Sequence, residues 1–440
     1  MINITRLGVF MWMFRILFIS WIFSLVSFSA VAKTIEIKSE NFIFIGDVRE
    51  ADGRSLILEL EQYRQAILQI VGVKNAKAEA VPVLIYAVRN TKELKLLTGR
   101  TDIGGVYKST IDGPVFILNA QSGFKRGKRA RYIALHEYTH HLLAAYTTGR
   151  FPLWFNEGLA DYYATFEVTK DGNLVLGEAY KPYGSALSQR TWIPTNVIIN
   201  SVNSYPSDNV SKRSNRASVS NFFYAQSWLA VHYFKTNKQE GAKLVKYLQL
   251  LNSGKSSIPA FTQAFGQTPE QYHSVFQRYF RANKFITITI KPNTDVRKHD
   301  FVLRHIEKGE AVFHQAEAMR FFSSESVSTA KIEAQYSMAA RYLGETPWIL
   351  AARADLASWE NDYVKATNFL RRALDLAPND TAVLRTAGMV LAYKNQKPET
   401  SNLAELNQAE GYLNRVLEVN PNDKGAEHYL DIVMFTLSMR

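Results

Sequence analysis

Two stretches near the C-terminus repeat one another, FLRRALDLAPND (369–380) and YLNRVLEVNPND (412–423). Each is a helical run stopped by Pro-Asn-Asp, and the two prolines, Pro378 and Pro421, lie 43 residues apart. A repeated helical unit cannot bury its apolar side alone and has to stack on its neighbours. The end of the 440-residue chain is therefore expected to be an all-α array. Upstream of residue 300 no such period recurs and strand-like alternation appears instead. The expected fold class is α+β: a mixed α/β sheet subdomain over about 33–125, a helical subdomain over about 126–300, and helical repeats over 301–440.

Ahead of the first stop, Ala354, Ala366, Leu370, Ala373 and Pro378 fall on the small-residue and proline positions of a tetratricopeptide repeat, which this region resembles. The second unit keeps Gly388, Ala409 and Pro421 and carries nine extra residues around KNQKPETSN, a loop between its two helices. Added to a repeat of about 34 residues, they give the observed spacing. Residues 309–343 read as a degenerate hairpin of the same kind and 424–438 as a terminal capping helix. Two repeats are fewer than the roughly three a solenoid needs, so they are expected to lean on 301–343 and on the domain upstream, which is itself expected to stand without residues 301–440. The resemblance implies a protein partner or substrate held by the repeats.

The first 32 residues differ from all the rest. Arg6 and Arg15 precede a charge-free apolar run at 16–28, and Ala30 and Ala32 form an A-x-A site, which places signal-peptide cleavage before Lys33. Export to a periplasm or secretion is expected, with anchoring by an uncleaved segment as the alternative. The chain has no cysteine, which excludes disulfides, a lipidated cysteine and thiolate metal ligands. Removing Arg6 and Arg15 lowers the net charge from +12 to +10, because residues 1–32 contain no acid. No nucleic-acid-binding motif accompanies that charge.

Within 33–125, TIEIKSENFIFIGDV (34–48) alternates like strands, 55–72 has helical spacing, and VPVLIYAV (81–88) reads as a buried strand. A short helix at 91–99 and a hairpin at 104–120 around Asp112-Gly113 follow. From about 128 the chain turns helical, with 128–146 and 152–165 flanking TTGRF, then a hairpin around Asp171-Gly172. The polar, aperiodic stretch 201–220 reads as a loop, helices resume at 221–236, 238–252 and 268–281, and 284–291 alternates as a strand.

The chemistry lies in YIALHEYTHHLLAA (132–145). His136 and His140 are four residues apart, so a helix projects both imidazoles from one face, where a single tetrahedral zinc can take both. Glu137 sits about 100° around the helix, placed to accept a proton from water without occupying a coordination position. His141 points off that face. If the chain reverses at TTGRF, the helix beginning at PLWFNEGLADYYA (152–164) runs back antiparallel and brings Glu157 level with His140 as a third ligand. Asp161, one turn further, is placed to hydrogen-bond a ligand histidine. Two histidines and a glutamate leave a fourth position open, the arrangement of a catalytic zinc.

At this point the sequence resembles the gluzincin (thermolysin-like) zinc metallopeptidases. His136, Glu137 and His140 match their H-E-x-x-H, and NEGLAD (156–161) matches their third-ligand helix, over a resemblance spanning roughly 38–290. It implies one catalytic Zn2+ held by His136, His140 and Glu157, with Glu137 as general base and Asp161 in support. It also implies protein or peptide substrates and a Tyr or His donor to the oxyanion. Tyr224 is the first candidate for that donor, with Tyr162, Tyr163 and His232 behind it as packing residues; Trp154 and Phe155 read as core. The basic run KRGKRAR (125–131) is a solvated loop or a contact for anionic surfaces. The expected function is an exported zinc endopeptidase. The alternatives are an inactive peptidase-fold protein acting through its repeats, or an amidase acting on cell-wall peptide bonds.

Overall fold

The computed structural model describes residues 34–439, apart from 74–77, 79–80, 100–103, 112, 125–127, 148, 150, 190–191, 204–205, 207–215, 293–298 and 323–326. The expected signal peptide, part of the basic run and most of the stretch 201–220 expected as a loop therefore lie outside the described residues. The architecture is mixed α+β.

The chain opens with β1 (Ile35–Lys38), β2 (Phe42–Gly46), α1 (Glu50–Ile70), β3 (Val83–Val88), α2 (Thr91–Thr98), β4 (Gly105–Thr110) and β5 (Gly113–Asn119). Helix α1 starts five residues before the expected boundary. Glu50 and Asp52 favour its N-terminal dipole, and Gly53 sits where a side chain would strike Ile37 and Phe44. The six-stranded sheet has the order β4-β5-β3-β2-β1-β9, with β9 at Val302–His305. Strand β2 runs parallel to β3, and β3 parallel to β5; the β4, β1 and β9 pairings are antiparallel.

Period-two alternation sends the strand residues into two different cores. Phe42, Phe44, Val83, Ile85, Phe116 and Leu118 join one with α1, while Ile45, Tyr86, Val88, Val115 and Ile117 join the other with α2. Both faces are buried, so the central strands read as continuous apolar runs.

The first core continues into the helical half: α3 (Arg129–Tyr146), α4 (Leu153–Tyr163), the β6 (Glu167–Val168) and β7 (Leu174–Leu176) hairpin, α5 (Lys181–Leu187), α6 (Thr195–Asn200), α7 (Arg216–Thr236), α8 (Lys238–Asn252), α9 (Ser257–Phe265) and α10 (Pro269–Ala282). Strand β8 (Ile288–Ile290) pairs with β7. Three departures from the sequence expectation occur here. Helices α5, α6 and α9 are too short to show a clear period, α7 begins inside the stretch expected to be a loop, and only three residues of 284–291 form a strand. No helix among the described residues is long and apolar enough to cross a membrane.

The remainder is helical: α11 (Lys308–Phe322), α12 (Thr329–Leu343), α13 (Pro347–Trp359), α14 (Tyr363–Leu376), α15 (Thr381–Lys394), α16 (Leu403–Val419) and α17 (Lys424–Ser438). Of the expected nine-residue insertion KNQKPETSN, Lys394 ends α15 and 395–402 form the connection, tied by Asn395, whose side-chain amide donates to Glu405 and whose Oδ1 accepts from the Asn402 backbone amide. The array leans on the upstream domain through the sheet. Ala316, Met319, Phe322, Ile332, Tyr336 and Leu356 close the second core over Ile45, Tyr86, Val115 and Ile117. Strand β9, beyond the expected boundary at 300, completes the sheet against β1. Helices α13 to α17 share a third core of their own.

Candidate metal centre

Helices α3 and α4 face one another in the first core. Trp154, fully buried, and Phe155 anchor α4 in it, as expected, and the Leu153 amide donates to the Val202 carbonyl at 2.9 Å. On its other side α4 lies so close to α7 that a Cβ on Gly158 would come within 2.4 Å of the Ser227 carbonyl oxygen. Only glycine allows that approach without pushing the helices apart. The position next to Glu157 is thus fixed by backbone packing.

The reversal brings together the residues expected to form the site. His136 Nε2 and His140 Nε2 are 3.2 Å apart, and Glu157 Oε2 lies 3.3 Å from the first and 3.4 Å from the second. A regular tetrahedron with ligands about 2.0–2.1 Å from its centre has edges of about 3.3–3.4 Å. The three atoms therefore fit one triangular face of a zinc coordination sphere. The donor set also fits chemically, two imidazoles and a carboxylate with no thiolate. His136 is 12 % exposed and Glu157 10 %, so the centre is largely desolvated.

Asp161 lies behind His136, 1 % exposed. Its Oδ1 accepts from His136 Nδ1 at 2.7 Å and from the Tyr132 hydroxyl at 2.8 Å, and its Oδ2 accepts from the Tyr183 hydroxyl at 2.6 Å. A carboxylate can only accept, so His136 carries a proton on Nδ1 and turns Nε2 to the centre. His140 Nδ1 is buried with no hydrogen-bond partner among the described residues. Burial acts to lower the His136 pKa, but Asp161 and Glu157 together raise it well above the usual histidine value. Burial acts to raise the Glu157 pKa, yet its contacts with His136 and His140 hold it far below the usual carboxylate range. Both directions express one fact: the buried carboxylates favour positive charge between them.

Glu137, partly exposed, stays off the triangle, though its charge reaches His136. Tyr224 stands edge-on to His136, ring centroids 6.2 Å apart, which puts it on the site's rim. The weaker candidates are built into the core. His232 is fully buried, donating from Nε2 to the Gly177 carbonyl and accepting at Nδ1 from Tyr279, while Tyr163 accepts from Lys235. His141 lies against Tyr107 of β4, away from the centre. Arg131, counted in the basic run, is buried and donates to Glu59 at 2.8 and 2.9 Å, so it offers nothing to an anionic surface.

Sequence reasoning missed Tyr132 and Tyr183. Tyr132 is four residues before His136 and could have been found on the same helix face. Tyr183 reaches Asp161 from α5 and left no periodic signal. A second carboxylate–histidine group, Glu36, Glu310 and His314, also comes together. There Arg304 donates to both acids, at 2.7 and 2.9 Å to Glu36 and 2.9 Å to Glu310, so the chain supplies its own cation.

Compared with known proteins, the chain matches no family model and no curated protein.

Proposed function

We propose that the chain is an exported zinc-dependent metallopeptidase of the gluzincin kind, with a C-terminal tetratricopeptide-like module that binds protein partners or substrates. The observation that carries this reading is the 3.2–3.4 Å triangle of His136, His140 and Glu157 with Asp161 behind it. Those three residues would hold one zinc ion, which when bound supplies Lewis-acid polarisation of water and of the scissile carbonyl. Glu137 accepts the proton of the attacking water at its carboxylate and returns it to the departing amine nitrogen. The Tyr224 hydroxyl donates to the carbonyl oxygen as negative charge develops there. Asp161 keeps the His136 proton on Nδ1 throughout.

On this reading the layout is a peptidase domain over 33–300, built from five strands of the sheet and the helical half, carrying the repeat module. The module's groove supports a binding role. A cavity of about 170 Å³ between α11, α13, α15 and α17 is lined by Phe313, Trp348, Met389 and Tyr429 beside Arg320 and Arg385. The N-terminal signal pattern supports export.

The test is hydrolysis of a mixture of unstructured peptides by the purified protein, read by mass spectrometry. Cleavage should disappear on treatment with a chelator and return with stoichiometric zinc. Cleavage that survives complete chelation would contradict the proposal, as would its absence from the zinc-loaded protein.

A further inference from the structure

The segment between β7 and α5 crosses beside the metal centre and is pinned at both ends. At its start, the Gly177 carbonyl accepts from His232 Nε2 at 2.9 Å and the Gly177 amide donates to Thr165 Oγ1 at 2.9 Å. Midway, Tyr180 stacks on Tyr132 with ring centroids 3.8 Å apart and planes 11° from parallel. At its end, Tyr183 donates to Asp161 Oδ2. This accounts for a fully buried histidine that the hydrolytic chemistry does not use: His232 anchors the strap.

The consequence lies in how Asp161 is held. If His136 were its sole partner, the carboxylate could turn about its Cβ–Cγ bond and let the imidazole swing with it. With Tyr183 on one oxygen and Tyr132 sharing the other with His136, both oxygens are fixed and so is the carboxylate plane. A buried carboxylate needs partners in any case, and two hydroxyls would meet that need wherever they stood. What distinguishes these two is that they close on the carboxylate that orients a ligand nitrogen, Tyr132 on the same oxygen and Tyr183 on the other.

Resting on the metal-site reading above, we propose that the strap 177–183 positions His136, with Tyr183 and Tyr132 as positioning residues that act on it through Asp161. The predicted effect is on metal affinity and coordination geometry, beyond any effect on stability. Groups that orient a metal ligand are commonly worth about 10- to 100-fold in affinity. Tyr183→Phe and Tyr132→Phe each remove one hydroxyl and keep the ring packing.

The experiment measures zinc affinity by chelator competition on the full chain, together with the visible d–d spectrum of the cobalt(II)-loaded protein. Tyr272→Phe is the control. It removes a buried hydroxyl that likewise donates to a carboxylate, that of Glu240, far along the chain from the centre. Thermal melting confirms that each variant is folded. The expected result is zinc affinity about ten-fold weaker in Tyr183→Phe and Tyr132→Phe, with altered cobalt bands, and neither change in Tyr272→Phe. Equal affinity and an unchanged spectrum in both site variants, with zinc bound by the wild type, would overturn the positioning role and leave the metal centre standing. Equal weakening in Tyr272→Phe would overturn it too, by showing a general effect of stability. A wild-type chain that binds no zinc would overturn the metal reading and the positioning role with it.

Discussion

Replacing Glu137 with glutamine should lower peptide hydrolysis by about 100- to 10,000-fold while zinc binding stays within about two-fold of the wild type, since a general base is typically worth that much. The amide keeps the shape of the side chain and cannot take the proton. Glu137 stands outside the His136, His140 and Glu157 triangle, so its loss removes no ligand. Turnover at fixed zinc occupancy and zinc content by mass spectrometry make the separation. Turnover equal to the wild type would remove Glu137 from the reaction. Loss of zinc together with activity would mean that it serves the metal instead.

The second large effect concerns the repeats. A chain of residues 33–300 should fail to fold to a stable state, although the residues proposed to act in hydrolysis are all present. Removing 301–440 strips β9 from β1 and uncovers the second face of the sheet, where Ile45, Tyr86, Val88, Val115 and Ile117 are buried. Each such side chain contributes roughly 1.5–3 kcal/mol when fully buried, so exposing even part of this face rivals the roughly 5–15 kcal/mol that holds a typical domain together. The cut also removes Arg304, leaving Glu36, 5 % exposed, without its guanidinium partner. Near-UV circular dichroism and thermal melting of this chain against 33–440 check the point. A cooperative transition within roughly 5 °C of the longer chain would show that the module is a separable appendage.

This second prediction reverses the sequence expectation that the upstream domain stands without residues 301–440, and the reason is physical. An apolar run such as VPVLIYAV shows that a strand is covered on both faces but not by what. The cover comes from α11, α12 and α13, more than 200 residues downstream. The meeting of His136, His140 and Glu157 was legible because it rests on two short-range rules: four-residue spacing aligns His136 with His140, and a tight reversal returns Glu157 to their level. Tyr183 lay beyond such rules, joined to Asp161 only through the tertiary path of the strap. The early start of α1 was masked by Gly53, which reads as a helix breaker until the strand packed against it is seen.

The proposed hydrolysis depends on one zinc ion held between α3 and α4. An X-ray anomalous difference map from crystals of the zinc-loaded full chain, recorded on both sides of the zinc edge, tests it most directly. The expected result is a single strong peak about 2.0–2.2 Å from His136 Nε2, His140 Nε2 and a Glu157 oxygen. No peak there, or one only at another group of side chains, would contradict it.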